Sequence, residues 1–93
     1  YTSLVPRYRK EMKYLATVEV TLRPSVLDPA GVAVAQGLTQ MGYPVAAVRV
    51  GKLIRLEVDA QDEAAAQILV QQMGEQVLSN PVIENFRVAL TPL

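Results

Sequence analysis

Cysteine and histidine are both missing from the 93 residues of this chain. Their absence removes thiol nucleophiles and imidazole general bases. It also removes the usual ligands of zinc, copper and iron–sulfur centres. No disulfide framework is available, so a reducing cytosol is the expected compartment. Tryptophan is absent as well, and Tyr8 and Tyr43 stand alone, so no base-stacking platform is indicated. No window approaches the roughly 18 apolar residues of a membrane span, and no signal peptide is visible at the start. Net charge is lacking too: nine basic residues balance nine acidic ones. The balance is uneven along the chain. Arg7, Arg9, Lys10 and Lys13 crowd the lead against Glu11, which leaves the body mildly acidic. Nucleic-acid binding draws on Lys and Arg that neutralise phosphates, so a mildly acidic body argues against it.

What is present is 51% apolar residues, enough for one modest core in one domain. A domain of this size buries a smaller share of its surface than a larger one, so covering more of it with a partner is favourable. Residues 1–11 mix Pro, Arg, Lys and Glu without a period, and Leu4-Val5-Pro6-Arg7 looks like a protease-site remnant. The reading is a disordered or tag-like extension over 1–11, with a native extension as the alternative, a plausible native start at Met12 and a single domain over 12–93.

Tyr14 to Arg23 alternates. Tyr14, Ala16, Val18, Val20 and Leu22 share one face, which predicts a strand. Pro24 ends it. Asp28-Pro29 opens a helix, because the carboxylate caps free N–H groups and Pro fits the first turn. That helix runs to about Met41, with Ala30, Val34, Leu38 and Met41 as its apolar positions and Gly42 as a left-handed cap. Gly31 and Gly37 are costly inside it, so something is expected to approach closely there. Pro44 to Val58 is mostly extended. Ala46, Val48 and Val50 match Ile54, Leu56 and Val58, which predicts a hairpin pivoting at Gly51-Lys52. One long bent strand is the competing reading. Asp62 caps a second helix over about Glu63 to Leu78, striped by Ala66, Leu69, Val70, Met73 and Val77. Asn80-Pro81 stops it. Val82 to Leu90 is a last strand, with Phe86, Val88 and Leu90 facing inward.

The order β-α-β-β-α-β predicts an α+β, ferredoxin-like sandwich: a four-stranded antiparallel sheet with two helices on one face. Its bare face would hold Leu15, Thr17, Glu19, Thr21, Ala47, Arg49, Leu53, Arg55, Glu57, Ile83, Asn85, Arg87 and Ala89. That mixture fits a solvated sheet or, more sharply, a subunit contact.

The carboxylates are mostly explained by structure. Asp28 and Asp62 are helix caps, while Asp59 and Glu63 sit where a helix start favours negative charge. No catalytic residue is expected on this chain alone, and no metal site. Gly51-Lys52 is too short for a phosphate loop, which needs a longer glycine-rich run and a following Ser or Thr. Arg49, Lys52 and Arg55 lie near one turn. They fit a solvated loop, or an anion held across a subunit boundary.

Three blocks carry a family resemblance. Val20-Thr21-Leu22-Arg23-Pro24-Ser25-Val26-Leu27-Asp28-Pro29-Ala30-Gly31 resembles the PurS pattern of a strand followed by Val/Ile-Leu-Asp-Pro-x-Gly. Val48-Arg49-Val50-Gly51-Lys52 is similar to that family's Val-Arg-x-Gly-Lys, and Leu78-Ser79-Asn80-Pro81-Val82-Ile83-Glu84 to its Leu-x-Asn-x-Val-Ile-Glu. The blocks come in the family's order and cover about Lys13 to Leu90. The lead segment departs from the pattern.

The resemblance implies a non-catalytic small subunit of formylglycinamidine ribonucleotide (FGAM) synthase, in the cytoplasm and in purine biosynthesis. It implies a homodimer or tetramer that bridges a synthetase (PurL-type) and a glutaminase (PurQ-type) subunit. The complex amidates formylglycinamide ribonucleotide with glutamine, and ATP and Mg2+ are used by the synthetase, not by this chain. By position, Asp28, Pro29 and Gly31 are carried over as a structural helix start. Arg49, Gly51, Lys52, Asn80 and Glu84 are carried over as substrate or partner contacts. The rival from the element order is a dimeric regulatory domain that binds a small molecule. A small enzyme of the same fold is a weaker one, for want of His and Cys.

Overall fold

The structure is a computed structural model and describes residues 11–93. The expectation for the lead therefore lies outside the described residues, except at Glu11, which is exposed and in no regular element.

The sheet is built on β1, Met12–Leu22, whose alternation is obeyed. Tyr14, Ala16, Val18 and Val20 are buried, and the residues between them lie on the other face. β1 is the middle strand of three. β2, Gly51–Ala60, and β3, Glu84–Pro92, flank it in the order β2-β1-β3, both antiparallel to it. Val18 lies opposite Ile54 on one side and Val88 on the other; Ala16 lies opposite Leu56 and Leu90. Each row is thus apolar on the inner face, the face expected for Phe86, Val88 and Leu90. Val18 and Val20 are fully buried, which stabilises the fold by about 1.5–3 kcal/mol for each such side chain.

One helix covers this face. α2, Glu63–Met73, starts at Asp62, whose Oδ1 accepts from Ala65 N at 2.8 Å. Its Ala66 and Val70 are buried against the sheet, with Ala65, Met73 and Leu78 packed beside them. A single π-type turn, Gly74–Leu78, extends it to the expected end. Ser79 closes that turn by donating its N–H and its hydroxyl to Gly74 O, at 3.0 and 2.7 Å.

The other helix, α1 (Pro29–Gln40), also forms where predicted. Gly42 ends it at φ 95°. Tyr43 N donates to Leu38 O at 3.1 Å and Gly42 N to Thr39 O at 3.0 Å, the paired bonds of a glycine-closed helix end. The expected layering fails here. α1 lies on none of the strands; its one buried residue is Gly31.

The expected fourth strand is absent among the described residues. Residues 43–50 are in no ladder. A two-residue hairpin turn at Gly51-Lys52 would need positive φ there. Gly51 instead enters the sheet as a strand residue opposite Thr21, and Lys52 follows opposite Val20. Residues 43–50 therefore run on past the end of β1, nearer the long-strand alternative. Ala47 and Arg49 do not join the outer sheet face. That face is mixed: Leu53 is 54% exposed, and the Arg87–Glu19 ion pair lies in water, where such pairs add little.

Gly74 sits so close to the inner face that a Cβ there would strike the Phe86 ring. Gly74→Ala is expected to destabilise the chain by about 1–3 kcal/mol through overpacking. Urea unfolding measures it; Gly37→Ala, with nothing near its Cβ position, serves as the control.

Candidate functional site

The three resemblance blocks lie far apart in sequence, yet the fold brings them to one end of the sheet. β1 ends at Leu22, and Arg23 to Val26 turn, with Val26 N donating to Arg23 O at 2.9 Å. The chain then enters α1 through Asp28. This carboxyl is 4% exposed and fully partnered. Oδ1 accepts from Gly31 N at 2.9 Å, the expected cap. Oδ2 accepts from Val50 N at 2.8 Å, which the sequence did not reveal. One side chain thus ties the helix start to the entrance of β2. Pro29 holds the first helical position. Gly31 is needed for contact: a Cβ there would collide with Val48 O.

The N–H donated by Val50 is the main reason the Asp28 carboxyl is held below the usual carboxylate range, followed by that from Gly31. Burial opposes them, and the nearby Arg49 charge and Ala30 N–H add to the lowering.

Arg49 is used inside the chain. Its Nη2 donates to Arg23 O at 2.9 Å and Val26 O at 3.1 Å, bracing the turn before α1. Gly51 passes β1 closely; a Cβ there would lie 2.6 Å from Val20 O. Lys52 stays accessible, with 60% of its side chain exposed and Nζ 4.0 Å from Glu84 Oε2.

Glu84 links the third block. Its Oε1 accepts from Asn80 N at 2.7 Å, while Glu84 N donates to Asn80 O at 2.8 Å. Asn80 Oδ1 accepts from Val82 N at 3.1 Å. The Asn80–Glu84 corner is therefore self-bonded. Arg23, which the sequence did not single out, clamps it: Nη2 donates to Pro81 O, and Arg23 N to Ile83 O at 2.8 Å. Its place just before Pro24 was the available signal. Arg55, by contrast, lies on the outer face opposite Thr17, apart from this cluster.

Between these groups is a cleft of about 260 Å³, lined by Val20, Leu22, Asp28, Ala30, Val50, Gly51, Lys52 and Glu84. Lys52 lies beside Glu84 in it, and Asp28 is occupied by backbone donors. The arrangement fixes a surface. No cluster of metal-ligating side chains occurs among the described residues, and none of their helices is long and apolar enough to cross a membrane.

A carboxylate whose pKa is lowered by folding stabilises the fold above its unfolded pKa of about 3.9. That contribution is lost as pH falls through the lower folded value. Asp28→Asn is therefore expected to lower stability at pH 7 and to flatten the acid limb below about pH 4. Urea unfolding at a series of pH values from neutral into the acid range measures both effects.

The family model described as PurS: Phosphoribosylformylglycinamidine (FGAM) synthase matches residues 15–92. The phosphoribosylformylglycinamidine synthase subunit PurS of Synechocystis sp. is 52% identical over 81 residues, covering 86% of this chain and 81% of that protein. The crystal structure of the purS subunit of phosphoribosylformylglycinamidine synthase from Thermotoga maritima superposes with a TM-score of 0.84 at 31% identity, over 91% of this chain and 99% of that one. A chain in the structure of PurLQS from Thermotoga maritima gives a TM-score of 0.80 at 34% identity, over 85% and 98%. With its three motif blocks meeting at one end of the sheet, the chain belongs to the PurS family of phosphoribosylformylglycinamidine (FGAM) synthase.

Proposed function

We propose that this chain is the non-catalytic small subunit of a cytoplasmic FGAM synthase. It bridges a PurL-type synthetase and a PurQ-type glutaminase and so supports glutamine-dependent amidation of formylglycinamide ribonucleotide in purine biosynthesis. It associates with itself as a dimer or tetramer. The observation that carries this reading is the match along nearly the whole chain to a component of PurLQS. The composition agrees with the division of labour. Releasing ammonia from glutamine by covalent catalysis calls for a thiol and an imidazole, and this sequence contains neither. ATP and Mg2+ belong to the synthetase chain in this scheme.

The end-of-sheet cluster is the proposed partner contact, with its members in different roles. Asp28, Pro29 and Gly31 set the helix start. Arg49 braces the turn beside it, and Asn80 shapes the corner that Glu84 closes. Lys52 is the charged group left reaching outward, so it takes the direct contact with a carboxylate or phosphate of the partner surface.

The test is reconstitution from purified synthetase, glutaminase and this chain. Glutamine-dependent FGAM formation is expected only when all three are present, and full turnover without this chain would reject the subunit role. Lys52→Ala is expected to raise several-fold the amount of chain needed for half-maximal activity. Its unfolding midpoint should barely move, because an exposed side chain contributes within about 0.5 kcal/mol.

A further inference from the structure

β3 has β1 on one edge and no strand on the other among the described residues. Its register says which backbone groups the free edge exposes. Arg23 N donates to Ile83 O before the strand, and Leu93 N to Lys13 O after it. Hydrogen-bonded pairs alternate in an antiparallel ladder, so Asn85, Arg87, Ala89 and Thr91 turn their N–H and C=O groups to β1. Phe86, Val88 and Leu90 turn theirs the other way, to the open edge. Their side chains are half-buried on the inner face. Such edges are normally guarded by a bulge, by Lys or by Pro. Here the register runs unbroken, and a proline comes only at Pro92, the last residue of the strand.

A flank of α2 and its π-type turn stands over this edge. Gly74 packs on the Phe86 ring. Gln71 and Glu75 share a cleft of about 370 Å³ with Asn85 and Phe86. Gln67 falls on the same flank one turn earlier. The flank is polar, and its charge has one sign: residues 56–86 hold six carboxylates and no Lys or Arg. Asp62 and Glu63 are accounted for at the helix start, where negative charge is favoured. Glu75 is not. It lies at the opposite end, where the helix dipole disfavours a carboxylate. It is exposed and forms no ion pair among the described residues. Arg23 lines the same cleft but is engaged with Pro81 O.

We propose that the free edge of β3 and the Gln67–Glu75 flank form a groove for an extended, basic segment of a synthase partner chain. The segment adds to the sheet as a further strand, and its backbone bonds to Phe86, Val88 and Leu90. Alternate side chains of the segment face the helix. Lys or Arg suits those positions twice over. The aliphatic stem covers the half-buried row of β3, and the charged head reaches Glu75 and the amide oxygens of Gln67 and Gln71. The acidic run disfavours a nucleic acid in the same groove. A second copy of this chain is a poorer fit, because its own β3 brings Phe86, Val88 and Leu90 and no cation to that side. The inference rests on the subunit role stated above for its partner, and adds a contact separate from that of Lys52.

Amide hydrogen exchange, quenched and read residue by residue, tests the edge. In the chain without partners, Phe86, Val88 and Leu90 are expected to exchange quickly, while Arg87 and Ala89 between them are protected by β1. Adding the purified synthetase and glutaminase is expected to slow the first three about tenfold or more. A complex that forms by sedimentation and leaves those three amides fast would overturn the proposal. Slow exchange before any partner is added would overturn it too, by giving the edge to a second copy. If no complex forms, the subunit role falls and this inference with it; sedimentation tells that case from an open edge. Charge is tested separately. Glu75→Lys is expected to keep the unfolding midpoint, because a cation is favoured at a helix end. It is expected to weaken binding of the partners at least about tenfold at low salt, and to lessen the dependence of binding on salt. Undiminished binding by this variant would rule out a basic segment in the groove.

Discussion

The end of the sheet where the first two motif blocks meet is organised around the carboxylate of Asp28. One oxygen takes a helix N–H and the other takes Val50 N–H, so a single buried group fixes segments 22 residues apart. A cap alone would set where α1 begins. The second bond also sets where α1 points, because it ties the helix start to the strand entrance. Gly31 follows from this as a steric need, since the helix must approach Val48 without a Cβ between them. Arg49 supports the same joint from the turn side. With both bonds made and the group almost out of water, its charge is compensated, and its acidity reflects the stability it gives.

The residues that look most chemical in the sequence are therefore mostly mechanical. Arg49 holds carbonyls of a turn, Glu84 accepts from the Asn80 backbone, Asn80 Oδ1 accepts from Val82 N, and Asp28 joins two elements. Such a cluster holds a surface in shape.

Much of this was legible from local physics. The alternation of β1, the caps at Asp28 and Asp62, the glycine closure at Gly42 and the inward side of β3 all appear where residue chemistry puts them. These features depend on neighbours within a few positions. The error lies at 44–50. Alternation there is genuine, but a period of two says only that a segment suits a sheet; it does not say which edge, or whose. Gly51-Lys52 was ambiguous for the same reason, because glycine serves a turn and also a strand that crosses another closely. The Asp28–Val50 bond and the clamp from Arg23 to Pro81 were invisible because each spans a distance in sequence that only the folded topology closes. The site was thus legible as a set of residues and not as a set of roles.

The order of strands in the sheet differs from their order along the chain. β1 is made first and sits in the middle; β2 joins one edge, and β3, after α2, takes the other. During synthesis, β1 must wait with a bare edge until the stretch reaching Pro92, the partner of Tyr14, has left the ribosome. Both caps and α1 can form before then, because they need only local sequence. Closing the last edge spans nearly the whole described chain, a long-range step of the kind that slows folding. A nascent polypeptide stalled ahead of Glu84 would carry two of the three strands with their apolar rows uncovered on one flank, a form prone to stick to its neighbours.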